Sequence, residues 1–264
     1  MFLKIGFIGT GNMGSAVATA AAGQGRELLL ANRTAAKAQA LADAVGGRVV
    51  KNTEAAGESD LLFLCVKPQM MEGMLEGIAP TLRARGDRFV LVTMAAGLTC
   101  ERIREMAGGK YPVIRMMPNT PCAIGAGVIQ YCGLGASEEE MDEFAEILRP
   151  AGLIDRVDEH LMDAAAAVSG CGPAFAYLFM EALADGGVAC GLPRAKAMAY
   201  AAQMLEGSAR MVLESGKHPG ALKDAVCSPG GTTIQGVRAL EEGGFRAAAM
   251  NAVIKAFEKT MDLK

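Results

Sequence analysis

Two stretches hold residue types whose spacing can do chemistry. The first is Gly9-Thr10-Gly11-Asn12-Met13-Gly14, a G-x-G-x-x-G that follows a short apolar strand, Leu3 to Ile8, and opens an Ala-rich helix running to about Ala22. In such a turn the first glycine permits the tight bend and the second lets the backbone approach a pyrophosphate. The third lets helix and strand pack closely. The second stretch is Ser228-Pro229-Gly230-Gly231-Thr232-Thr233. Pro229 cannot continue a helix, the glycines free the backbone, and a helical run of Ile234, Val237 and Leu240 follows. A loop opening onto a helix start gathers free N–H groups at the positive dipole end, which suits a carboxylate or phosphate. The two Thr hydroxyls add side-chain donors. Taken alone, this stretch is also an ordinary Gly-rich helix cap.

The elements that must position these stretches read as two kinds. After the fingerprint, Leu28 to Ala31 forms a second strand. It ends at Asn32-Arg33-Thr34, with Lys37 one turn on. A carboxylate there would accept from the ribose 2′-OH of NAD; Arg33 instead suits a 2′-phosphate, which favours NADP(H). Further apolar strands run from Asp60 to Val66, from Phe89 to Met94 and from Val113 to Met117. Their carboxyl ends carry Lys67-Pro68, Ala95-Ala96-Gly97 and Pro118-Asn119-Thr120-Pro121. In a parallel sheet those ends face the ligand crevice. Lys67 is expected to point into it, Ala96 to let a nicotinamide ribose lie close, and Asn119 to hydrogen-bond a ligand. Val128 to Cys132 and Leu153 to Val157 read as added edge strands, separated by a helix from about Glu138.

From Asp158 onward the pattern is helical only. The fold class is therefore α/β: a Rossmann-type doubly wound, mostly parallel sheet over residues 1–157, then an all-α domain over 158–264 for dimerisation and substrate binding. The helix from Ala174 to Ala189 carries few charges, which calls for burial nearly all round. A region this small offers that burial only against a second subunit.

Composition narrows the classes. The chain has 264 residues, 51% hydrophobic and 21% charged, with a formal net charge of −3. This is a globular composition, and the charge argues against nucleic acid as a partner. Seven Cys in no repeating pattern point to reduced thiols and a cytoplasmic location. With two His, His160 and His218, and no C-x-x-C, no metal is expected. No apolar run reads as long enough for a membrane span, and the first residues lead into a strand rather than a signal peptide.

Together these residues resemble the Δ1-pyrroline-5-carboxylate reductase family over essentially the whole chain. The resemblance is carried by Ile8 to Gly14, Val66-Lys67-Pro68, Met117 to Pro121, Ser169 to Phe175 and, most specifically, Leu222 to Thr233. It implies reduction of a cyclic imine to L-proline, the last step of proline biosynthesis. The implied cofactor is NADPH, with NADH as the alternative, bound by Gly9, Thr10, Gly11, Asn12, Met13, Asn32, Arg33, Asn52, Val66, Lys67, Pro68, Ala96 and Asn119. It implies substrate at Glu159, Ser228, Gly230, Gly231, Thr232 and Thr233, with Thr233 the catalytic residue. It implies dimers interlocked through the C-terminal helices, which several family members extend to decamers. The chain departs from relatives at Ala225, where some have Asn, and at Cys171 and Phe175, where Ser and Tyr are common. Two other readings stand beside this one: a β-hydroxyacid dehydrogenase, which would need a catalytic Lys on the helical domain, and an NADPH-dependent regulator without turnover.

Overall fold

The computed structural model describes residues 2–23 and 25–262. Eight strands form one sheet: β1 (Lys4–Ile8), β2 (Glu27–Ala31), β3 (Arg48–Val49), β4 (Leu61–Leu64), β5 (Val90–Thr93), β6 (Val113–Pro118), β7 (Gly127–Leu134) and β8 (Gly152–Arg156). Their order is β3-β2-β1-β4-β5-β6-β7-β8. Every neighbouring pair is parallel except β6 and β7. The reversal of strand order at β1, between β2 and β4, places the switch point beside the glycine fingerprint.

Side chains alternate across the strands, as a sheet covered on both faces requires. Ile5, Phe7, Leu61, Phe63, Val90 and Val92 enter one core, while Ile8, Leu62, Leu64 and Leu91 enter the other. The connecting helices are α1 (Asn12–Ala21), α2 (Ala35–Val45), α3 (Asn52–Glu58), α4 (Pro68–Ala84), α5 (Cys100–Ala107) and α6 (Glu138–Leu148). Pro68 starts α4, where its missing N–H costs nothing. Ser137 and Glu140 close α6 with a reciprocal capping box.

Two expectations shift here. Only β8 of the added pair is an edge, because β7 sits between β6 and β8. The other edge is β3, a two-residue strand too short to show periodicity.

Helices alone follow: α7 (Met162–Ser169), α8 (Gly172–Ala189), α9 (Arg194–Ser215), α10 (Pro219–Ala225), α11 (Thr232–Glu242) and α12 (Phe245–Met261). Contacts divide the chain into a sheet unit, Met1–Cys171 with Ala256–Lys264, and a helical unit, Gly172–Lys255. The secondary structure changes character near residue 158, but the division falls after Cys171. The reason is α7, which packs on β7 and carries Asp163 to the buried Arg115 of β6.

The expectation that no stretch is long and apolar enough for a membrane also needs correction. Glu159–Ala189, a 31-residue stretch containing an 18-residue window of mean hydropathy 1.3, reaches that length and composition. It is broken, however, into a 3-10 turn, α7 and α8, and it carries Glu159, Asp163, Glu181 and Asp185.

Candidate functional site

The glycine fingerprint explains itself atom by atom. Gly9 has φ +107°, and a Cβ there would lie 2.6 Å from the Cys65 carbonyl oxygen. A Cβ on Gly14 would run into the Gly9 carbonyl oxygen. Both glycines are thus demanded by packing. Gly11 is different: a Cβ there would meet nothing within 4 Å. The fold leaves that side of the backbone open, which is the room a ligand oxygen needs.

Gly9 and Gly11 line a cavity of about 710 Å³ at the carboxyl ends of β1, β2 and β4. Asn32, Arg33, Thr34 and Lys37 line it from the end of β2, and Asn52, Val66 and Lys67 line it as well. No Asp or Glu among the described residues lines it. Among the described residues, Arg33, Lys37 and Lys67 have no ion-pair partner. Three uncompensated cations and no anion make the cavity receptive to phosphate.

Asn32 serves the loop itself. Its Oδ1 accepts from the Thr10 N–H at 3.1 Å, and its Nδ2 donates to the Thr34 carbonyl at 3.0 Å. The side chain therefore ties the fingerprint to the end of β2. Thr10 is buried, and its Oγ1 has no hydrogen-bond partner. Asn12 and Met13 open α1, whose N-cap Gly11 offers no side-chain acceptor, so the first N–H groups of that helix remain available. The Cys65 thiol borders the cavity, and burial pushes it up and keeps it protonated.

Not every expected residue lines this cavity. Pro68 is the first residue of α4, and Ala96 lies in the turn after β5. Asn119 is tied into the fold on both sides of its amide. Its Nδ2 donates to the Ser169 carbonyl at 3.0 Å, and its Oδ1 accepts from the Val128 N–H at 2.9 Å. This buried side chain joins β6, β7 and α7 and keeps one Nδ2 hydrogen uncommitted.

In the helical unit, Gly231 is the N-cap of α11 and provides no side-chain cap, and the first turn carries no acid. Gly230 has φ +69°, a conformation that favours glycine. The Gly231 N–H closes the turn onto the Ser228 carbonyl at 3.0 Å. A Cβ on Gly231 would press against Ser228 Oγ. Thr232 and Thr233 are exposed, so the helix start presents free donors and two hydroxyls.

Glu159 belongs to the sheet unit, and the Ser228–Thr233 turn to the helical unit. Its Oε1 accepts from the Cys100 N–H at 2.7 Å and lies 3.9 Å from Arg115 Nη1. Arg115 is fully buried and pairs with Asp163 at 2.5 Å. Sequence reading missed this pair, because Arg115 lies inside a strand that reads as apolar. It also missed that Cys100, Cys132 and Glu159 converge.

Comparison with known proteins fits this geometry. The family described as "Pyrroline-5-carboxylate reductase dimerisation" matches residues 159–263, and the one described as "NADP oxidoreductase coenzyme F420-dependent" matches residues 4–97. Pyrroline-5-carboxylate reductase of Escherichia coli is 40% identical over 98% of this chain and 98% of its own length. The Glycine max enzyme of that name is 41% identical, over 98% of this chain and 95% of its own. The crystal structure of Plasmodium falciparum pyrroline carboxylate reductase with NADP bound superposes with a TM-score of 0.88 at 34% identity, covering 98% of this chain and 97% of that one. With a cation-lined cavity at the switch point and an uncapped Gly-Gly helix start in one chain, this protein belongs to the pyrroline-5-carboxylate reductase family.

Proposed function

We infer that this chain reduces Δ1-pyrroline-5-carboxylate to L-proline, with NADPH as the preferred reductant and NADH as the alternative. The observation that carries the reading is the cavity whose Arg33, Lys37 and Lys67 are unpaired and which no carboxylate lines. A dinucleotide phosphate fits it, since Gly11 leaves open space for the pyrophosphate and Arg33 meets no acid that would repel a 2′-phosphate. When bound, NADPH supplies the hydride. The protein supplies orientation and charge.

The substrate carboxylate rests on the first N–H groups of α11, behind Gly230 and Gly231, where the helix dipole favours an anion. Thr233 Oγ1 hydrogen-bonds the ring nitrogen and so holds the protonated imine in register. Ser228 and Thr232 flank the turn, and Glu159 supplies negative charge near the imine. No His or Cys base is needed. Gly9 to Met13, Asn32, Asn52 and the Val66 to Pro68 turn hold the cofactor, with Ala96 beside the nicotinamide ribose.

The working form is a homodimer through residues 158–264, with a decamer as the higher assembly. Within residues 172–255 the buried side chains are Ala184, Ala197 and Ala201, which leaves the large apolar residues of α8, α9 and α12 without cover in one chain. That surface accounts for the membrane-like hydropathy of Glu159–Ala189 without a bilayer. The seven unbridged cysteines suit a cytoplasmic enzyme.

A hydroxyacid dehydrogenase would need a lysine free to act in the helical unit. Lys223, the one nearest the turn, is held by Asp224 at 2.6 Å, which favours its charged form. The test is steady-state oxidation of NADPH with pyrroline-5-carboxylate, with NADH and with 3-hydroxy acids in parallel. Turnover of the imine with a lower KM for NADPH is expected. Turnover of a hydroxy acid, or none at all with the imine, overturns the reading.

A further inference from the structure

Cys100 is the first residue of α5, Cys132 lies within β7, and Glu159 begins the 3-10 turn before α7. The two Sγ atoms and a Glu159 carboxylate oxygen nevertheless all lie within 4.8 Å of one another. Both thiols are buried, whereas the Glu159 side chain is 37% exposed. The cluster is closed on its sulfur side and reachable on its carboxylate side. Donors sharing one tetrahedral zinc sit about 3.5–3.8 Å apart, given bonds of about 2.3 Å to sulfur and about 2.0–2.2 Å to oxygen. Small side-chain rotations span the difference.

Two soft sulfurs with one carboxylate select a borderline-soft d10 ion over magnesium or calcium, which prefer all-oxygen sites. We propose that Cys100, Cys132 and Glu159 form a three-ligand site for a zinc-class dication, with water as the fourth ligand on the open Glu159 side.

The surroundings suit that ion. The ion replaces the thiol protons, which leave to solvent, and no electrons move. The Cys100 N–H, donating to Glu159 Oε1, fixes the carboxylate from behind. Arg115 offsets the excess negative charge of three anionic ligands, and Asp163 holds Arg115 in place. The expectation of no metal rested on scarce His and the lack of C-x-x-C, a spacing test blind to ligands drawn from three separate elements. The site shares Glu159 with the reductase reading, but it can be tested without turnover.

The test titrates cobalt(II), as a spectroscopic probe, into the reduced full-length protein. One equivalent per chain is expected to produce a near-ultraviolet thiolate-to-cobalt band with the visible bands of a tetrahedral site, both displaced by zinc. Cys132→Ala and Cys100→Ser each abolish the spectrum, while Cys190→Ser, at an exposed cysteine outside the cluster, preserves it. Glu159→Gln keeps the thiolate band but weakens affinity about tenfold or more, since even an outer-shell partner has an effect of that size. Should the Cys variants fail to fold, the wild type decides: alkylation with and without zinc, mapped by mass spectrometry, must show Cys100 and Cys132 protected together. Absence of a tetrahedral spectrum, its survival in Cys132→Ala, or protection of other cysteines instead overturns the proposal.

Discussion

In the sheet unit, the rings of Phe7, Phe63 and Phe144 stack in series at centroid separations of 4.6 and 6.2 Å, and all three are fully buried. In the helical unit, Phe179 and Phe245 meet as tilted rings at 5.3 Å, yet Phe245 is 42% exposed. The contrast extends beyond these rings. The sheet unit fills two cores from the two faces of one sheet. The helical unit buries three alanines and exposes Tyr177, Leu178, Met204, Leu213 and Met250. Both regions are apolar in sequence, but only one is apolar for its own use. Burial is the dominant favourable term in folding, so helices with this little of it need a partner surface. Cofactor binding should therefore belong to the sheet unit alone, and turnover to the assembly.

The largest test compares two leucines that are almost equally exposed in one chain, Leu178 of α8 at 68% and Leu153 of β8 at 60%. Leu178→Glu places an unpaired charge in the surface proposed for the partner, at an expected cost of about 3–5 kcal/mol to association. Light scattering should report monomers, with turnover lost and NADPH binding by fluorescence retained. Leu153→Glu should change stability by no more than about 0.5 kcal/mol and leave assembly intact. A Leu178→Glu dimer of wild-type strength breaks the contrast.

Arg33→Ala tests the sheet unit's side of that division. Loss of a charge-assisted contact to phosphate should cost about 1.5–3 kcal/mol, read as a rise in KM for NADPH far above that for NADH. Assembly should not change. If the two KM values move together, Arg33 does not read the 2′-phosphate. The helical unit's side is tested at the Gly-Gly turn. Gly231→Ala drives a Cβ against Ser228 Oγ and should cost about 1–3 kcal/mol in kcat/KM for the imine, with NADPH binding near normal. Thr233→Val keeps the shape and removes the hydroxyl that accepts from the protonated imine, for a loss on the order of 1–3 kcal/mol in kcat/KM. Both variants should also lose inhibition by proline, which presents the same ring and carboxylate. Wild-type kinetics in both would move the substrate site elsewhere.

These tests divide along what the sequence could tell. The fingerprint, the strand ends and the Gly-Gly turn were legible because each is local: a strand, a turn and a helix start follow one another in a few residues. The folded structure added meaning to them, such as the open space at Gly11 against the crowding at Gly9 and Gly14. What stayed hidden was long-range. Asn119 gives no sign in sequence of its ties to the Val128 N–H and the Ser169 carbonyl. Arg115 disappears into an apolar strand because its partner, Asp163, comes from a helix past the sheet. The Cys100, Cys132 and Glu159 cluster has no local spacing at all. The compact units divide after Cys171 because α7, helical by sequence, packs with the sheet.

The smallest effect expected lies wholly inside the sheet unit, and its size is informative. Arg88 Nε donates to Glu140 Oε1 at 2.6 Å and Nη2 to Oε2 at 2.8 Å, tying the approach to β5 to the first turn of α6. The carboxylate also accepts from the Ser137 N–H at 2.7 Å. The Arg88 side chain is largely exposed, so solvent screens the pair, and its worth is about 0.2–1 kcal/mol despite the bidentate geometry. The Arg88 hydrogen bonds hold the Glu140 carboxyl below the usual carboxylate range. A depressed carboxyl contributes stability that is fully present above its unfolded pKa, about 4.3, and that is lost as pH falls through the lower native value. Glu140→Gln should therefore be less stable than wild type near neutral pH, and the gap should close in acid below about pH 4. Urea unfolding at the two pH values reads this directly. Because the pair lies wholly within the sheet unit, light scattering should show the same assembly for Glu140→Gln as for wild type. A gap that persists unchanged in acid would mean that the Ser137 cap, rather than the ion pair, carries the contribution. A shift in assembly would mean that the two units are less independent than their burial implies.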